Sequence, residues 1–315
     1  MLVALGGGAV VTAGASGTVA RPGGRVRVAA DAADRPGVAA AGGGRGGGPL
    51  HVLDSLLGRS GKLRARFISQ AARPAVVALI ELVRGVGAAP GVYVVDSLAG
   101  LPFSVIAMRP FSDKVHGRIG QYRIGTWPFE RGGAPRTAAY RNPDGFIEVT
   151  PQNQDTYVSE HFRLRDFLTH DQRAVWPKYL VLNERLIDKL ELVVAELNRE
   201  GYPVRHLAIM SGFRTPQYNA QGVGAGGRAA TSRHQYGDAA DVFVDNNEDG
   251  WADDVNGDGV VDIRDAEVVR RAAEQVEREH PELVGGIGVY RATAAHGPFT
   301  HIDARGYPAR WGGAE

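Results

Sequence analysis

Leu182, Leu186, Leu190, Val193 and Leu197 recur at spacings of three and four, which gives residues 183–200 one apolar helical face. Asn183 stands where a helix cap belongs, and Gly201 stands where the helix closes. The period returns over 265–279, where Val268, Val269, Ala272 and Val276 point one way. Four short apolar runs, 207–210, 239–244, 287–290 and 299–302, read as strands. Upstream, 92–95, 103–106, 122–124 and 146–149 are β-type runs punctuated by Gly, Pro and Asp, which predicts a small β module over 91–150. Helices combined with an antiparallel sheet place the chain in the α+β class.

The N-terminal part follows no such pattern. The first twenty residues carry no charged side chain, and Leu2, Val3, Leu5, Val10 and Val11 resemble the apolar core of an export signal, although the basic start is missing. The alternative is a flexible leader extending through the Gly-, Ala- and Arg-rich stretch to residue 48. The apolar runs within 49–90 suit a packed helical linker and are too short to span a bilayer. The expected organisation is a leader over 1–48, a helical linker over 49–90, the β module over 91–150 and a main domain over 155–315.

Composition narrows the chemistry. A net charge of +1 argues against broad nucleic-acid binding, which needs a dense basic face. With no cysteine there is no disulfide framework, thiolate site or cysteine nucleophile, so any metal must be held by His, Asp or Glu.

His234 and Asp241 are seven residues apart with Gly237 between them, which puts the histidine on a loop and the aspartate on the following strand. His301 lies on another strand. Taken singly, each is more often a packing residue. Together, two imidazoles and a carboxylate suit Zn²⁺ and leave a fourth position for water, whose pKa zinc lowers to about 7. The segments 211–219, 232–241 and 285–290, followed by 301–311, keep the order S-G-F-R-T-P-x-Y-N, S-x-H-x-x-G-x-A-x-D, G-G-I-G-x-Y and H-x-D.

In that order the chain resembles the M15-type zinc peptidases of bacterial cell walls, the murein endopeptidase and D-Ala-D-Ala carboxypeptidase branch, over residues 155–315. The resemblance implies a hedgehog-like peptidase fold with zinc on His234, Asp241 and His301. It implies that Arg214 faces the reacting carbonyl and that Ser232 and Tyr236 line the cleft. It also implies peptidoglycan stem peptides as substrate and a periplasmic, secreted or cell-envelope location. Many relatives of this type carry a carboxylate shortly before the last histidine, where this chain has Gly297-Pro298-Phe299-Thr300. Asp303, as base or as orienter of His301, and His296, as proton shuttle, are the substitutes. Without a working base, the alternative is a non-catalytic, calcium-stabilised recognition domain on the same fold.

A second cation motif interrupts the main domain at 245–265. Asp245, Asn247, Asp249 and Asp253 repeat as Asp254, Asn256, Asp258 and Asp262, with Gly250 and Gly259 at the sharp turns. Alternating oxygen ligands around such a glycine form the front half of an EF-hand-like calcium loop, which the second copy extends through the Val260 carbonyl to Asp265. A solvated acidic loop with Asp265 capping the helix is the competing reading. His161 is a further candidate site residue or a structural histidine. Tyr122, Trp127, Phe129 and Tyr140 either stack on a sugar or peptide or form a core of their own.

Overall fold

The structure, a computed structural model, describes residues 90–98, 101–135, 137–224 and 227–313, together with strands at 2–5, 9–12, 17–21, 24–28 and 66–68. It divides into two units, 1–110 and 111–315. In the first, β1 (Leu2–Leu5) and β2 (Ala9–Thr12) form an antiparallel pair. A separate sheet runs in the order β4-β3-β6-β7-β5, from β3 (Gly17–Arg21), β4 (Gly24–Val28), β5 (Arg66–Ile68), β6 (Gly91–Leu98) and β7 (Leu101–Ala107). A two-residue strand, β8 (Arg109–Pro110), ends the unit. Strands therefore stand within the stretch read as a leader, while the helical linker over 49–90 lies outside the described residues apart from β5 and residue 90.

The boundary falls inside the expected β module. Its first two runs are β6 and β7, but residues from 111 onward belong to the second unit. The reason is aromatic packing. Trp127 is 1% exposed, lies 5.5 Å from Phe111 and 5.9 Å from Phe146 between ring centroids, and donates its indole N–H to the Gln235 carbonyl at 2.9 Å. Tyr122 is equally buried, so these two aromatics serve a core and offer no platform to a ligand. Around them β9 (Arg118–Ile119) pairs with β10 (Tyr122–Arg123), and β11 (Gly145–Val149) pairs with β12 (Lys178–Leu180).

The main sheet of the second unit comprises β13 (Leu207–Ser211), β14 (Ala239–Val244), β15 (Gly286–Tyr290), β16 (Phe299–Asp303) and β17 (Ala309–Gly312), in the order β13-β14-β16-β15-β17. All neighbours are antiparallel except β15 and β17. Two long helices, α1 (Glu184–Arg199) and α3 (Ile263–Glu279), pack together, with α3 against β15 and β16; the short α2 (Pro216–Ala220) follows β13. As its period predicts, α1 buries Leu186, Leu190, Val193 and Leu197, each worth about 1.5–3 kcal/mol. The Asn183 side chain caps it by accepting from the Arg185 N–H at 3.0 Å.

Strand alternation then sorts the sheet's residues onto two faces. Val242, Ile287, Thr300 and Ile302 are buried on the helix side, where the Thr300 hydroxyl donates to the Ala266 carbonyl at 2.7 Å. Asp241, Gly288, His301, Asp303 and Tyr290 occupy the opposite face. The helices cover one side of that sheet, and Asp241, His301 and Asp303 lie on the other.

Candidate metal centre

One row of the sheet carries the centre. Ser211 pairs with Asp241, Asp241 with His301, His301 with Gly288, and Gly288 with Trp311, so five strands contribute one residue each. His234 joins from the 3-10 turn Arg233–Tyr236, just before β14. That turn closes through Gly237 at φ +66, where an added Cβ would lie 2.2 Å from the Val181 carbonyl oxygen, so both the left-handed backbone and the close approach require glycine. Arg233 and Asp238 pair on either side of the turn and are both buried, and Arg233 also donates to the Ala139 carbonyl at 2.8 Å.

Three donor atoms converge. His301 Nδ1 is 2.9 Å from Asp241 Oδ1, His234 Nε2 is 3.2 Å from the same oxygen, and the two imidazole nitrogens are 3.2 Å apart. A tetrahedral ion with bonds of about 2.05 Å spaces its ligands about 3.3 Å apart. The observed triangle is therefore close to the size of such a coordination face.

The opposite atom of each donor is already occupied. His234 Nδ1 lies 2.7 Å from the Gly212 carbonyl oxygen, which can only accept, so the proton sits on Nδ1 and the Nε2 lone pair faces inward. His301 Nε2 lies 3.1 Å from Asp303 Oδ2, which in the neutral ring holds the proton on Nε2 and turns the Nδ1 lone pair inward. Asp241 Oδ2 accepts from Arg214 Nη2 at 2.6 Å, leaving Oδ1 for the centre. Three inward lone pairs at this spacing repel one another unless a cation lies among them.

The electrostatics agree. Burial pushes the Asp241 carboxyl upward, but His234 and His301 outweigh it and hold it well below the usual carboxylate range. Burial lowers His301, yet hydrogen bonds to the Asp241 and Asp303 carboxylates push it up to about 9. Burial dominates at His234 and brings it down. Without a metal, a proton on His301 lies beside the carboxylates of Asp241 and Asp303, and a cation held by the three donors would take its place. His234, Asp241 and His301 are all buried and able to hold such an ion.

The other expected site residues are arranged differently. Arg214 holds Asp241 from behind, with Nε donating to Ser211 Oγ at 2.8 Å, so part of its donor capacity is spent on positioning the ligand. Asp303 is fully buried and accepts from the Gly286 N–H at 2.7 Å, the Arg305 N–H at 3.1 Å, the Arg305 guanidinium and His301. Its lone pairs are filled, so the geometry fits the orienting role and opposes the role of base. His296 lies on the loop before β16, with Nδ1 2.8 Å from the Gly297 oxygen and its ring edge against Phe299. Ser232 is half-buried at the start of the 3-10 turn. Tyr236 is buried between Arg233 and Tyr140 and packs there, and its hydroxyl has no hydrogen-bond partner.

Sequence reasoning missed Arg305, Trp311 and the Arg233–Asp238 clasp. The signal for Arg305 was its spacing of two from Asp303, which keeps a guanidinium beside that carboxylate. A second, more exposed group, Glu160, His161 and Glu191, also brings donor atoms within 4.8 Å. There Glu191 accepts from the His161 N–H at 2.9 Å and lies 2.7 Å from His161 Nδ1, which is how a structural clasp onto α1 is built.

In the acidic insertion, backbone N–H groups take up most of the carboxylates. Asp245 accepts from Asp249 and Gly250, Asp253 from Asn246, and Asp254 from Gly257, Asp258 and Gly259. Asn247 Oδ1 accepts from the Asp249 N–H and Asn256 Oδ1 from the Asp258 N–H, while the carboxylate of Asp258 accepts from the Val260 N–H. Asp265 accepts from Val255, Asn256 and Asp262, and Asp262 caps α3. Arg264, itself exposed, pairs with both Asp258 and Asp262, two of the carboxylates expected as calcium ligands.

No protein-family model, curated protein or solved structure matches this chain. No helix among the described residues is long and apolar enough to cross a membrane.

Proposed function

We propose that the chain is a zinc-dependent hydrolase acting on amide bonds of bacterial cell-wall peptides, at or beyond the cell envelope. The observation that carries the reading is the convergence of three inward lone pairs from His234, Asp241 and His301, each fixed by a partner on its far side. A zinc ion held by this set supplies a Lewis acid and acidifies bound water to a pKa of about 7. Arg214 brings a partly buried positive charge beside the centre, of the sign a developing oxyanion needs. The substrate class follows from the order of the motifs around 211–219, 232–241 and 301–303, which resembles that of the M15-type peptidases.

The test is incubation of the purified chain with defined muropeptides, zinc-loaded and then chelated. Product masses that appear with zinc and vanish without it are expected. Intact muropeptides in both arms would sink the reading.

One observation favours a second reading, a recognition domain on the same scaffold. Asp303, expected as base or as orienter of His301, has its oxygens occupied. Binding of intact peptidoglycan without turnover is the outcome that would select it. The insertion over 245–265 belongs to either reading as a structural calcium loop, in which an ion held by Asp258 and Asp262 would compete with Arg264.

A further inference from the structure

The sheet face that carries the donors also carries a tyrosine that neither reading uses. Tyr290 lies two residues beyond Gly288 on β15, and Gly288 pairs with His301, so Tyr290 projects on the same face as the metal donors. It stacks on Phe299 at 4.5 Å between centroids with the rings nearly parallel, yet remains 39% exposed. Trp311 joins the two places. Its ring lies 5.1 Å from that of His301, and its indole N–H donates to the Tyr290 hydroxyl at 2.7 Å.

Space for this arrangement is made by glycine. An added Cβ at Gly288 would lie 2.1 Å from the Trp311 ring, and one at Gly286 would lie 3.0 Å from it. Two glycines on the site face of β15 thus form a bed in which the indole lies beside His301. An indole N–H only donates, so the tyrosine oxygen accepts from it and keeps its own proton to give.

We propose that the Tyr290 hydroxyl is a substrate-facing hydrogen-bond donor at this centre, held in place by Trp311, and that it serves the oxygen on which negative charge develops. This inference rests on the hydrolase reading and adds a catalytic residue to it. As the attacking water oxygen bonds to the carbonyl carbon, the π pair of the C=O bond moves onto its oxygen, and the proton the water gives up ends on the amide nitrogen, whose bond to carbon breaks as the carbonyl re-forms. Tyr290 donates a hydrogen bond to that oxygen and transfers no proton, so the phenol is unchanged when the carbonyl re-forms and the amine leaves. Trp311 is a positioning residue, acting through Tyr290.

The experiment uses the full chain loaded with Co²⁺, with Tyr290→Phe, Trp311→Phe and the double variant. Three quantities are read: cobalt content with its visible spectrum, the dissociation constant of acetohydroxamate (an oxyanion that ligates the metal), and kcat and KM on muropeptides. Tyr290→Phe is expected to retain the wild-type cobalt content and spectrum. It should lose about 100-fold in kcat with little change in KM, the size of effect seen on removal of one oxyanion donor, and about tenfold in acetohydroxamate affinity. Trp311→Phe should lose about tenfold in kcat, and the double variant should be no worse than Tyr290→Phe, because both changes remove one interaction.

Wild-type kcat and acetohydroxamate affinity in Tyr290→Phe would overturn the proposal. Losses that multiply in the double variant would overturn the role of Trp311. A wild-type chain that binds cobalt but cuts no muropeptide refutes the hydrolase reading alone, and the acetohydroxamate titration then decides whether Tyr290 faces the ligand. A chain that takes up no cobalt overturns both.

Discussion

Asp241 and His301 are direct partners across β14 and β16, with Asp241 Oδ1 2.9 Å from His301 Nδ1. The pairing makes the carboxylate a shared neighbour of both imidazoles and places its charge inside the donor triangle. Asp241→Asn keeps the shape and removes the charge. Metal affinity should fall by more than the 10–100-fold that loss of an outer partner causes. Competition with a chromophoric chelator measures it, and an Asn variant that holds zinc like the wild type would contradict the ligand assignment.

Asp303 provides the contrast. Its carboxylate holds the His301 ring while Arg305 and two backbone N–H groups fill its remaining lone pairs. Asp303→Asn should lower metal affinity about 10–100-fold. With saturating zinc, turnover should largely recover and its pH profile should keep the wild-type acid limb. Loss of that limb at full metal occupancy would return Asp303 to the role of base.

Much of this was legible because alternation and helical period are local. The face of α1 follows from Leu186, Leu190 and Val193 alone, and the strand positions of Asp241 and His301 follow from their apolar neighbours. What period cannot supply is register across strands, because register is set by residues far away in the chain. Nothing in residues 285–290 announces that Gly288 pairs with both His301 and Trp311, so the indole bed stayed hidden. Nearness in sequence does not fix position either: His296 is five residues from His301 and lies on the loop before the strand, with its ring against Phe299. The β module was drawn across a unit boundary because its four runs look alike, whereas the burial of Trp127 against the carbonyl of Gln235 decides which unit owns residues 111–150.

Gly237 ties the fold to the centre. It sits at φ +66 against the Val181 carbonyl oxygen and closes the turn that carries His234. Gly237→Ala combines a left-handed penalty of about 1 kcal/mol with a contact that only backbone movement relieves. Unfolding in urea should show a loss of about 2–4 kcal/mol, accompanied by weaker zinc binding as the turn shifts. A variant of wild-type stability would mean the turn is looser than its contacts imply.

Glu191 gives a pH signature remote from the centre. Burial pushes its carboxyl up, but hydrogen bonds from the His161 ring and N–H outweigh this and bring it below the ordinary value of 4.5. A depressed carboxyl stabilises the fold above its unfolded pKa, and that stability disappears as pH falls through the folded value. His161→Ala should therefore lower Tm relative to wild type at pH 5–6, and the gap should close as the pH drops below about 4. A gap unchanged down to pH 2 would show that His161 acts through packing alone.

The acidic insertion is the last test, because here the geometry and the motif pull apart. The spacing of Asp254, Asn256 and Asp258 around Gly259 is that of a calcium loop, and Asp254 already accepts from the Gly259 N–H at 2.7 Å, so the turn is formed. Arg264 nevertheless bridges Asp258 and Asp262 with one positive charge. A divalent ion must displace that guanidinium, and the ion pair it breaks is exposed and therefore weak, worth at most about 1 kcal/mol. Calcium should then bind the wild-type chain weakly, and Arg264→Ala should bind it about threefold to fivefold more tightly, the factor equivalent to removing a competing pair of that strength. Calorimetry reads the affinity, and protease resistance of the loop reads its consequence. Equal affinities in the two proteins would show that Arg264 does not compete, and no calcium heat in either would leave the insertion as a loop closed by its own backbone.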